Sequence, residues 1–81
     1  MNVTDLPQGA SAADTTDRII IFALPGGRFR FEGWSAENKG VAIHFVDKDE
    51  FATFDAAREA GILWAKGGRV SDLYVEFRQA E

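Results

Sequence analysis

Apolar and polar positions alternate along most of this chain, and at one place the alternation gives way to a three- and four-residue spacing. In the stretch Asp47 to Ile62, Phe51, Phe54, Ala57, Arg58, Gly61 and Ile62 recur at that spacing, which puts them on one helical face. Asp47, Asp49 and Glu50 precede it, and negative charge suits the free N–H groups at a helix start. Asp47 or Asp49 then serves as N-cap. The run Ala56-Ala57-Arg58-Glu59-Ala60 has good helix propensity. Gly61 followed by Ile62 reads as a C-terminal cap, so the pattern predicts a helix over about residues 48–60. A rival reading carries the helix through Leu63-Trp64-Ala65-Lys66 to stop at Gly67, at a cost of about 1 kcal/mol for the internal glycine.

The remaining segments read as strands. Arg18–Leu24 is β-branched and apolar on both faces. Pro25-Gly26-Gly27 is turn chemistry. Arg28–Trp34 alternates strictly, with Phe29 and Phe31 inward and Arg28, Arg30, Glu32 and Trp34 on the other side. A polar loop, Ser35–Gly40, leads to a third strand, Val41–Val46. Ile62–Lys66 suits a short strand if the helix stops early, with Gly67-Gly68 as a hairpin turn. Arg69–Phe77 is the last strand. The fold class expected is α+β: an antiparallel sheet of four to five strands with one helix on one face, ordered β-β-β-α-β-β or β-β-β-α-β. Phe51 and Phe54 should then pack on Phe29, Phe31, Phe45 and Val75. Residues 1–17 are rich in small and polar types and are expected as a flexible tail, leaving 18–79 as a single domain.

Composition narrows the setting. The chain has 81 residues, no cysteine and a formal charge of −4. Disulfides and thiolate metal sites are excluded, and a reducing interior, the cytoplasm, fits. No apolar run is long enough to cross a bilayer, and the N-terminus lacks the basic-then-apolar pattern of a secretion signal. Acidity argues against nucleic acid as the main ligand. The charge is uneven, however. Residues 18–46 lean basic, through Arg18, Arg28, Arg30 and Lys39, whereas 47–81 lean acidic.

Candidate chemistry is sparse. His44 is the sole histidine, and no nucleophile or orienting carboxylate stands at a defensible spacing, so no enzyme is expected. Asp47, Asp49 and Glu50 resemble a cation loop only until Phe51, where the central glycine is missing. Neither glycine pair has a phosphate-loop context. No metal or cofactor is expected. Arg28, Arg30 and Trp34 share a strand face suited to a protein interface. With one helix available, Trp34, Trp64, Ala42, Val46, Leu63, Tyr74 and the second side of Arg18–Leu24 are expected to remain partly bare, and a bare apolar patch marks a docking surface.

In general character the chain resembles small phage-encoded anti-CRISPR inhibitors: short, acidic, cysteine-free, a few strands with a helix. The resemblance implies a stoichiometric inhibitor that binds a CRISPR effector complex in the bacterial host cell and blocks its access to DNA. Asp47, Asp49, Glu50, Asp55 and Glu59 would then meet cationic groups that normally hold phosphates. The alternative is a small structural or regulatory subunit that self-associates, as a homodimer for example, or pairs through a sheet face or edge.

Overall fold

The structure, a computed structural model, describes residues 1–13, 16–36 and 42–79. It contains one helix and a five-stranded sheet: β1 (Asn2–Asp5), β2 (Arg18–Leu24), β3 (Arg28–Ala36), β4 (Ala42–Val46), α1 (Phe54–Gly67) and β5 (Asp72–Gln79). The spatial order is β1-β5-β2-β3-β4. The α+β class and the single helix agree with the sequence reading. The polar loop expected over 35–40 lies, from residue 37 on, outside the described residues, as does Val41.

The sheet is mixed rather than antiparallel. β2, β3 and β4 form an antiparallel meander, whereas β5 pairs in parallel with both β2 and β1. Direction explains this. Two antiparallel steps leave β4 running the same way as β2, and a helical crossover returns the chain in that same direction. β5 therefore arrives parallel and docks against β2. The central pair is formed by β2 and β5, whose residues Ile19, Ile21, Leu73 and Val75 are all fully buried or nearly so.

Residues 2–5, expected within the tail, form an edge strand. Val3 sits beside Leu73 in register and packs on the core. Beyond β1 the chain stays tied to β5: Leu6 N–H donates to Val75 O at 2.9 Å and Gly9 N–H to Phe77 O at 3.0 Å. One inward valine is too brief an alternation to reveal a strand; backbone pairing with β5 supplies the rest.

The helix begins later and ends later than 48–60. Thr53 is the N-cap, its Oγ1 accepting from Ala56 N–H at 3.1 Å. Asp47–Glu50 instead form a bulge that interrupts the β3–β4 pairing. Asp47 N–H reaches Phe31 O, and the ladder resumes where Phe51 pairs with Phe29. Between those points β4's side carries two more residues than β3's, and Asp49 N–H turns back onto Asp47 Oδ1 at 2.9 Å.

The expected C-cap, Gly61, lies inside the helix and is buried. A Cβ there would stand 2.5 Å from Ile19 Cδ1. Ala57, Gly61 and Ala65 form a stripe of small side chains four residues apart, along which the helix backbone sits down on β2. The helix runs through Ile62–Lys66, so no strand forms there, and Gly67-Gly68 is not a hairpin turn. The helix closes with Val70 N–H on Ala65 O and Arg69 N–H on Lys66 O, a Schellman pattern with Arg69 at φ 59°. At the other glycine pair, Gly26 and Gly27 have φ of 89° and 78° and make the β2–β3 turn as expected.

Aromatics fill the ends of the helix–sheet layer. Phe54 meets Phe29 and Phe77 edge-on, and Phe51 and Phe45 flank Phe31. Each large apolar side chain buried here contributes about 1.5–3 kcal/mol.

Candidate binding surfaces

On the helix-free side, strand register sets out rungs of side chains. One rung reads Tyr74, Arg18, Trp34, His44 from β5 to β4; the next reads Glu76, Ile20, Glu32, Val46; the third reads Arg78, Phe22, Arg30. In the first, the Trp34 and His44 rings stack at 3.7 Å and 9°, with the Arg18 guanidinium 5.6 Å from the indole centre. Trp34 and His44 are cross-strand neighbours of the closely spaced kind, which brings their rings together. In the third, Arg30 lies 4.4 Å over Phe22.

Two carboxylates bind this face together. Glu76 is fully buried. It accepts from Arg78 Nη2 at 2.5 Å and from Ala12 N–H at 3.1 Å, and pairs with Arg18 Nε at 3.3 Å. Arg78 also donates to Ser11 Oγ. The segment after β1 thus lies over β5 and closes off Glu76. On β3, Glu32 accepts from Arg30 at 2.6 Å and contacts His44 Nε2 at 2.8 Å. Burial pushes the Glu32 carboxyl up, but the hydrogen bonds and positive charge of Arg30 and His44 outweigh it and hold the group below its ordinary value.

The expected bare second side of β2 is therefore covered within one chain. Ile20 is 5 % exposed, and Phe22 and Leu24 are half-buried. Sequence counting gave the sheet one helix of cover and left out the arginines, whose stems and planar heads lie across the aromatic groups. Nor do Trp34 and Trp64 form one patch, since they occupy opposite sides of the sheet. Trp64 lies against Gly33, whose missing Cβ would fall 2.4 Å from the ring, and stacks on Phe45 at 5.7 Å.

The other expected site residues separate into two groups. Arg28 is clamped to the bulge, its Nη2 donating to Glu50 O at 3.1 Å and its Nε pairing with Glu50 Oε1; Arg30 belongs to the sheet face just described. Asp49, Glu50, Asp55 and Glu59 are exposed on the bulge and the first turns of α1, and Asp47 is half-buried beside them. Arg58, between Asp55 and Glu59 on the helix, is forked onto Asp5 with both bonds at 2.9 Å, which joins α1 to β1. That hydrogen-bonded pairing raises the Arg58 pKa above its ordinary value.

Sequence reasoning missed Glu76 and the N-terminal segment above it. The one signal was a lone acid between Tyr74 and Arg78 on a strand face. Among the described residues no group of three or more His, Asp or Glu is arranged to hold a metal ion, and no helix is long and apolar enough to cross a membrane. Comparison with protein-family models, with curated proteins and with solved structures finds no match.

Proposed function

We propose that this chain is a small protein-binding inhibitor of the anti-CRISPR kind. It acts without catalysis or cofactor in the cytoplasm of a bacterial host cell, binding a CRISPR effector complex and blocking its access to DNA. The supporting observation is the acidic surface made by Asp47, Asp49, Glu50, Asp55 and Glu59, which carries Lys48 as its only interspersed lysine. Lys48, Arg58 and Arg28, the last paired with Glu50, offset part of that charge, and the five carboxylates still outnumber them. Such a surface complements the cationic grooves that hold nucleic-acid phosphates, and complementary potentials raise the rate of encounter and fix orientation.

The test is competition. A purified effector complex is titrated with this protein while its binding to target DNA is followed at two salt concentrations. Reversal of charge at Asp49, Glu50 and Glu59, each to lysine, should weaken inhibition and flatten its dependence on salt. Full inhibition by the triple variant would remove the proposal.

A further inference from the structure

Four large hydrophobic residues are exposed among the described residues, and two of them are consecutive on β4. On β4, Phe45 is 37 % exposed and Val46 49 %. Phe45 faces the helix side, where it stacks on Trp64. Val46 faces the opposite side, in the rung of Glu32. An apolar surface that wraps both faces of a sheet edge is covered by neither a helix nor a loop on one face. It is covered by another strand.

Among the described residues β4 pairs with β3 alone. Segment 41–46 carries no Lys, Arg, Asp, Glu or Pro, the residues that commonly protect an edge from pairing. The opposite edge is protected: β1 is four residues long, ends at Asp5 and is followed by Pro7. Backbone direction along β4 follows from one bond. Asp47 N–H points inward to Phe31 O, so with a period of two the N–H and C=O groups of Ile43 and Phe45 also point inward. Those of Ala42, His44 and Val46 point out of the sheet.

We propose that β4 pairs antiparallel with β4 of a second copy of this chain, about a two-fold axis at His44. This register is the one in which all three outward-facing residues find outward-facing partners. His44 meets His44 of the other copy as a hydrogen-bonded pair, and Ala42 meets Val46 in both directions. In the same register Phe45 comes opposite Ile43. No charged residue opposes another along the paired segment. The result is a continuous ten-stranded sheet with both helices on one side. The inference rests on the β4 edge alone and is independent of the acidic surface.

Cysteine placement tests it, because the chain has none of its own. In the proposed register the two His44 Cα atoms stand about 5.5 Å apart, within the range a disulfide spans. The two Val46 Cα atoms are four residues out of step, roughly 14 Å apart. His44→Cys should therefore cross-link to a covalent dimer under mild oxidation, and Val46→Cys should not. Light scattering after size exclusion should give a dimer for the unmodified protein and a monomer for His44→Pro. Proline at 44 removes an outward N–H and spares the β3 ladder, so circular dichroism of that variant should match the parent. A monomer at every concentration up to the solubility limit overturns the proposal, as does a dimer in which Val46→Cys cross-links and His44→Cys does not.

Discussion

The close contact between Gly33 and Trp64 gives a measurable test of how the sheet is covered. A Cβ on Gly33 would lie 2.4, 2.5 and 2.7 Å from three carbons of the Trp64 six-membered ring. Carbon atoms in ordinary contact stand about 3.5–4.0 Å apart. The ring must then retreat by about 1 Å. It is a rigid plate, stacked on Phe45 at 5.7 Å and attached to a helix whose buried stripe is seated on β2, so it has little freedom to do so. Overpacking of this kind costs about 1–3 kcal/mol. For a domain of this size each kcal/mol lowers Tm by about 4–8 °C. Gly33→Ala should therefore lower Tm by roughly 5–20 °C, with the smaller end reflecting the gain from removing a glycine inside a strand.

Thermal melts followed by circular dichroism read the stability, and Trp64 emission in a Trp34→Phe background reads the ring. The decisive comparison is a cycle with Trp64→Leu. Once the indole is gone, Gly33→Ala should be neutral or slightly stabilising, giving a coupling of at least about 1 kcal/mol. Equal effects of Gly33→Ala in both backgrounds, or no effect in either, would refute the contact and with it the placement of Trp64 as cover for the sheet.

Other outcomes follow from single sites. Arg69→Gly should stabilise the protein by about 0.5–1 kcal/mol, read from the urea midpoint, because residue 69 is held at φ 59° where glycine is favoured. Glu76→Ala should cost about 3–5 kcal/mol by the same measurement, since it removes the buried anion shared by Arg18 and Arg78; Glu76→Gln should cost less. The lowered pKa of Glu32 means that its pairing adds stability that is fully present above the unfolded carboxyl value of 4.5 and is lost as pH falls through the lower folded value. Melts across that range should show a shallower acid decline for Glu32→Gln; an identical decline would reject the assignment.

The strands 18–24 and 28–34 and the inward aromatics are legible because period-two patterning and a Pro-Gly-Gly turn are local signals, whereas Ser35 and Ala36, read as loop, continue β3. The favoured helix limits, 48–60, are not, although the rival reading ends the helix at Gly67 as the structure does. Acidic residues suit a helix start, yet Asp47, Asp49 and Glu50 are held in a bulge because Phe51 completes a backbone pair with Phe29. Glycine disfavours a helix interior by about 1 kcal/mol, yet Gly61 stays there because Ile19 leaves no room for a side chain. In each case a tertiary contact decided against a local preference of similar or smaller size. The parallel edge strand was hidden for a related reason, since its hold on β5 is mostly backbone and leaves little mark on side-chain pattern. The sheet face is the most instructive of these. The sequence offers Arg30 to a partner, whereas Arg18 and Arg30 lay their planar surfaces on Trp34 and Phe22 and direct their charge to Glu76 and Glu32. Residue types that mark a binding face when free become cover when each has an aromatic beneath it and a carboxylate beside it. What is left for a partner is then the exposed Val46 and outward backbone of β4 and the exposed carboxylates of Asp49, Asp55 and Glu59.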